Sequence, residues 1–254
     1  MIRPFPKPTL CPRTKLRLPR RTRVTLIAGW RCQKAVVIHA DTQETIGDYR
    51  ATVQKIVPEV MGNFQIIVAG SGPGELIDSF IVRLRRKMDG NASDDIQELV
   101  RTIEAELEMF NDVDVRLSPI PAEEKRLKFI FAACCPASGT YDAWVTSGIR
   151  LERIADFKLA GWEEPLYENI GRRLYASDMT LAQAVLAGTY LFTIAEGTSN
   201  YIRGPFSVAV VTSKGISMEK EEYIRDMQDR LKVYETQINR IFLACSDTSV
   251  QFLT

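Results

Sequence analysis

Apolar and polar residues alternate along the chain in two rhythms, and the changes between them mark out its elements. Val24 to Trp30 (VTLIAGW) and Ala35 to Ala40 (AVVIHA) are β-rich runs around the polar turn Arg31 to Lys34, which predicts a hairpin. A third strand is predicted at Phe64 to Ala69, and it runs into the glycine-punctuated AGSGPG. From Pro73 the spacing becomes helical: Leu76, Ile77, Phe80, Ile81 and Leu84 form a stripe, with Arg83, Arg85, Arg86 and Lys87 off it. Ser93 has the chemistry of an N-cap for a second helix, whose apolar face is Ile96, Leu99, Val100, Ile103, Leu107 and Phe110.

Leu127 to Cys135 (LKFIFAACC) is mostly apolar, as in a strand covered on both faces. Shorter strands are predicted at Ala143 to Val145 and Arg153 to Leu159, then helices at Leu166 to Ala176 and Thr180 to Ala195, and a strand at Phe206 to Thr212. A closing helix over Lys220 to Ala244 carries Tyr223, Met227, Leu231, Tyr234, Ile238 and Ile241 at heptad-like spacing, which predicts docking on the body. Blocks of strands and helix pairs suit an α+β fold with a four-layer αββα sandwich, two stacked antiparallel sheets flanked by helices, better than βαβ alternation. Gly70, Gly72 and Gly74 have neither the GK[ST] of a P-loop nor GxGxxG spacing, so they mark a strand-to-helix turn.

Charge divides the chain. Residues 1 to 24 hold eight Lys and Arg, no acid and five of the twelve prolines, while the remainder holds 25 basic against 32 acidic residues. Prolines exclude a targeting helix there, and with no interleaved run of aromatics and an acidic body behind it the arm is not expected to bind nucleic acid. The expected organisation is a basic Pro-rich extension over 1–24, disordered or absent from the mature protein, one domain over 25–218, and a helix and tail over 219–254. No apolar run approaches membrane-spanning length, so no membrane partner is expected. Five cysteines at irregular spacing make neither a disulfide framework nor paired CxxC, and fit reduced thiols in a cytoplasm. Cys134 and Cys135, on an apolar strand, read as structural. The single His39 rules out multi-histidine metal sites and reads as a core or surface residue, so catalysis is expected without histidine and without a cofactor.

Thr25 to Ile56, followed by IIVAGSGPGELID (Ile66 to Asp78), resembles the N-terminal half of proteasome β-type subunits within the N-terminal nucleophile hydrolases. The matching positions are a leading Thr25, Gly29, Asp41 at the end of the "VVxAxD" strand, Thr45, Lys55 and Ala69-Gly70. The resemblance spans about 60 residues and is architectural beyond them. It implies an amide-bond hydrolase, with Thr25 as nucleophile and its own α-amine as base. Lys55 would keep that amine neutral, Asp41 would keep Lys55 charged and oriented, and the Gly70 N–H would bind the oxyanion. Thr45 would pair with substrate backbone as an added strand, and Glu44 beside it would line the first specificity pocket and favour a basic side chain.

The resemblance also implies a peptide or protein substrate and self-association into a ring; no residue identifies an ATPase partner. Tyr167, Leu174, Tyr175, Leu191 and Phe192 look too many to bury within two short helices, which points the same way. Two departures stand out: Val24 replaces the glycine that precedes a self-cleaved threonine, and Asn200 to Gly204 (NYIRG) replaces a DxxSG pattern. Translation starting at a valine codon at position 24, with removal of the initiator Met, would expose Thr25 directly. The alternatives are a catalytically silent ring or scaffold subunit and a non-peptidase acylase of the same fold.

Overall fold

The computed structural model describes residues 21–23, 25–46, 49–161, 164–199 and 201–249; Val24, Asn200 and the arm over 1–20 lie outside the described residues. The first hairpin forms as the pattern predicts: β2 (Leu26–Cys32) and β3 (Ala35–Ala40) pair antiparallel from Ile27↔Ala40 to Cys32↔Ala35. β11 (Phe157–Gly161), β12 (Ser207–Thr212) and β13 (Gly215–Met218) complete a five-stranded antiparallel sheet in the order β11-β2-β3-β12-β13.

The second sheet is built on the long β7 (Phe64–Pro73). One edge of β7 pairs with β8 (Lys128–Cys135), which continues to β9 (Thr140–Ser147) and β10 (Arg150–Arg153). The other edge is shared end to end. β6 (Ile56–Met61) takes Phe64 to Ala69, and the short β1 (Arg21–Arg23) takes Gly72 and Pro73. Beyond β1 lie β4 (Gln43–Ile46) and β5 (Tyr49–Thr52). All pairings described are antiparallel, and the fold is mixed α+β.

Side chains alternate across each strand, so each sheet has two faces to cover. Ile27, Ile38, Ile67, Ile130, Ala132 and Ala209, drawn from both sheets, form one cluster. Trp30, Val37 and Phe157 pack with α3 (Glu164–Leu174), α4 (Leu181–Thr198) and Ile224 of α5 (Glu221–Ser249). Phe129, Phe131 and Trp144 pack with α1 (Gly74–Met88) and α2 (Ile96–Phe110), where Phe80 contacts three other rings.

Several local expectations change. The N-cap of α2 is Asp95, whose carboxylate accepts from Gln97 N–H, while Ser93 bonds Glu98. The run Arg153 to Leu159 is two strands, because Ile154 leaves β10 with its N–H bonded to Ala143 O and its side chain buried among the clustered apolar residues. Tyr167, Leu191 and Phe192 are fully buried under the five-stranded sheet, and Leu174 and Tyr175 pack against them, so the inference of leftover apolar surface on α3 and α4 fails at these residues. A full capping box of Thr180 and Gln183 starts α4. No described helix is long and apolar enough to cross a membrane.

Candidate active site

Strand ends from both sheets meet at Asp41. The β2–β3 register places Ala40 opposite Ile27, so Asp41 emerges beside the start of β2. There its Oδ1 accepts from Leu26 N–H at 3.0 Å, and its own N–H reaches Leu26 O at 3.4 Å. Lys55 immediately precedes β6, whose first residue Ile56 pairs with Ala69. From that position Lys55 Nζ donates to Asp41 Oδ2 at 2.8 Å, with both side chains fully buried. One carboxylate therefore ties the residue after Thr25 to the lysine that leads β6.

Thr25 is itself fully buried, and its Oγ1 has no hydrogen-bond partner among the described residues. Its carbonyl accepts from Ser71 Oγ at 3.3 Å. Gly161 comes so close to the same carbonyl that an added Cβ would sit 1.9 Å from the Thr25 oxygen, and its φ of +134° also favours glycine. Gly70 lies in β7 directly after the residue paired with Ile56. Its lack of a side chain admits α1, since a Cβ there would meet Ile77 Cγ2 at 2.8 Å.

Burial drives the electrostatics. Desolvation raises the Asp41 carboxyl from its ordinary 3.8 to about 6, against the pull of Lys55 and of the backbone N–H groups of Leu26 and Gln43. The other titratable groups singled out lie elsewhere. His39 is buried under α4, with Nε2 3.2 Å from Val185 O and its ring stacked on Phe192, and burial lowers its pKa to about 4. Cys134 is raised to about 11 by burial and by neighbouring Cys135, as expected of a structural thiol.

Thr45 and Glu44 lie on β4. The backbone of Thr45 is paired with Thr22, so the edge expected to receive substrate runs alongside the chain's own β1, which is held between β4 and β7. Glu44 is buried on the strand. Sequence reasoning did not anticipate β1, nor Ser71 and Gly161 at the Thr25 carbonyl. The close approach of Gly161 to the Thr25 carbonyl is a tertiary contact and has no local signature. The segment after Asn200 packs against the two residues that follow Asp41: Thr42 Oγ1 donates to Pro205 O at 2.8 Å, Gln43 Nε2 to Tyr201 O at 3.4 Å, and Gly204, with φ +96°, makes room for the Thr42 hydroxyl.

No family model matches the chain, and no curated protein matches it. Solved structures do match in fold. An Anbu (Gly-1) mutant from Hyphomicrobium sp. strain MC1 has a TM-score of 0.70 at 14% identity, covering 86% of this chain and 96% of its own. Anbu (ancestral beta-subunit) from Yersinia bercovieri has a TM-score of 0.70 at 12% identity, with the same coverage. The helical assembly of the Anbu complex from Pseudomonas aeruginosa gives 0.69 at 15% identity, covering 85% and 95%. These findings correct the sequence-based assignment to proteasome β-type subunits. Its motif of six spaced positions is matched by no family model, and the structures named above are Anbu chains, at identities that carry the fold alone.

Proposed function

We propose that the chain is an amide-bond hydrolase of threonine type, acting through Thr25 once the residues before it are removed. The observation that carries this reading is the buried Asp41 carboxylate shared between Lys55 Nζ and Leu26 N–H. A buried ion pair costs desolvation that a pair of apolar side chains would avoid, so its presence on the backbone N–H of the residue after a buried threonine needs a reason. Catalysis supplies one. With residues 1–24 gone, the α-amine of Thr25 accepts the Oγ proton as Oγ attacks the substrate carbonyl carbon. The Gly70 N–H stabilises the oxyanion, and the amine returns the proton to the leaving nitrogen. Water then hydrolyses the ester. Lys55 holds the amine in its neutral form, and Asp41 orients Lys55.

The two sheets, with α1 and α2 packed on one and α3, α4 and α5 on the other, support a four-layer αββα arrangement. Self-association belongs to the same reading, supported by likeness to a chain described in a helical assembly.

The test combines the N-terminal mass of the protein from its native source with labelling by a peptide epoxyketone, which closes a ring on an N-terminal threonine. A chain beginning at Thr25 and carrying the adduct supports the proposal; a correctly processed chain that refuses the probe overturns it. A second reading, a catalytically silent subunit, is favoured by β1, because the chain upstream of Thr25 lies as an ordered strand along the edge at Thr45.

A further inference from the structure

Ser71 lies where the face pattern of β7 calls for an apolar residue. Val68 of that strand packs under α1 and α2, while Ile67 and Ala69 belong to the cluster between the two sheets. Alternation carries that second row on to Ser71, the residue after Gly70. Ser71 is buried there, and its Oγ donates to Thr25 O at 3.3 Å. The other end of the same peptide group, Leu26 N–H, donates to Asp41 Oδ1 at 3.0 Å. One peptide unit is therefore held at both ends, by a hydroxyl from β7 in one sheet and by a carboxylate that directly follows β3 in the other.

The consequence appears once the residues before Thr25 are removed. Thr25 then loses its covalent tether on the amine side, and chain ends are poorly ordered unless something ties them down. Its Oγ1 has no hydrogen-bond partner among the described residues, so the side chain supplies no anchor. What remains is the peptide group between Thr25 and Leu26. That group is planar, so holding its two polar ends places the threonine Cα and leaves a single backbone torsion between the plane and the amine and Cβ. Gly161 crowds the same carbonyl oxygen and narrows the space into which the group could turn.

We propose that Ser71 is a positioning residue for Thr25: its hydroxyl, acting with Asp41, fixes the peptide group from which the threonine Oγ is presented beside the Gly70 N–H. The inference rests on the hydrolase reading and adds to it a residue outside the six-position motif. Ser71 acts through the Thr25 backbone and exchanges no proton in the reaction, so its loss slows the chemical step and leaves substrate binding in place.

The test compares Ser71→Ala, Ser71→Thr and Ser71→Val in the Thr25-initiated protein. The last two introduce side chains of nearly equal volume that differ in the hydroxyl, so their ratio separates the hydrogen bond from packing. Ser71→Ala and Ser71→Val are expected to react with the peptide epoxyketone about 10–100-fold more slowly than the wild type, the scale of misplacing a reacting group by about an ångström. On a fluorogenic peptide kcat should fall in step while KM holds, and Ser71→Thr should stay well above Ser71→Val. A reactive wild type matched in rate by Ser71→Ala, a loss confined to KM, or a folded Ser71→Thr no better than Ser71→Val overturns the inference and leaves the hydrolase reading standing. Should the two larger variants not fold, the kcat and KM of Ser71→Ala decide alone. A correctly processed wild type that refuses the probe overturns both.

Discussion

Lys55 Nζ donates to Asp41 Oδ2 at 2.8 Å inside a fully buried pair, and the second oxygen of the same carboxylate is held by Leu26 N–H. Removing one partner strands a charge. Lys55→Met and Asp41→Asn are each expected to cost about 3–5 kcal/mol in urea unfolding. The double variant should be more stable than either single one, since no unpaired charge remains and the side-chain amide introduced by Asp41→Asn still offers an oxygen to Leu26 N–H. Hydrolysis is expected to be lost or severely reduced in all three, and Lys55→Arg should not restore it, because a planar guanidinium does not fit a pocket built around a compact ammonium.

Asp41 also sets the expected pH response. Its carboxyl, raised by burial to about 6, takes up a proton as pH falls through that value, and the ion pair is lost. Turnover of the Thr25-initiated protein should therefore show an acid limb near pH 6, missing from the residual activity of Asp41→Asn. The stability effect has the opposite sense. A carboxyl with a raised folded-state pKa favours folding while protonated; this contribution is full below about 3.8 and disappears as pH rises through about 6. Asp41→Asn should flatten the stability profile across that window in denaturation experiments at fixed ionic strength.

Two glycines should differ in their response to alanine. Gly70→Ala pushes Cβ to 2.8 Å from Ile77 Cγ2, so the Ile77 side chain must shift, at about 1–3 kcal/mol. Gly161→Ala drives Cβ into the Thr25 carbonyl and adds a strained φ, so it should cost more and displace the threonine. Thermal denaturation ranks the two variants. Epoxyketone labelling should fall further in Gly161→Ala at temperatures where both remain folded.

The buried Glu44 beside Thr45 carries the proposed preference for a basic residue at the cleaved bond. Fluorogenic peptides ending in Arg, Leu or Asp should be cleaved in that order by the Thr25-initiated protein. Glu44→Gln should reduce the Arg-to-Leu ratio about tenfold, the effect of ~1.4 kcal/mol. A wild-type preference for Asp would exclude this role.

Much of the fold was legible along the chain. The β2–β3 hairpin, the apolar β8 and the stripes of α1 and α2 follow from periodicity and β-branching, which act over a few residues. The same locality explains the errors. Asp95 rather than Ser93 caps α2, and the break at Ile154 depends on where one side chain finds cover. Strands β4, β5 and β13 are only four residues each, too short for a period to show.

The sequence by itself determined which groups were available for the site: one threonine, one acid and one lysine at spacings of 16 and 14 residues, in a chain with a single histidine. Only the tertiary structure decided which of them are brought together. The Asp41–Lys55 bond joins strand ends of two different sheets, and Ser71 and Gly161 close on Thr25 from 46 and 136 residues away in sequence, positions set by sheet pairing and helix packing rather than by anything local. Burial followed the same rule. Tyr167, Leu191 and Phe192 are as apolar as the exposed Tyr234, Ile238 and Ile241, yet the first group lies under a sheet and the second stays exposed on α5, because the hydrophobic effect rewards burial against whichever surface the fold brings near.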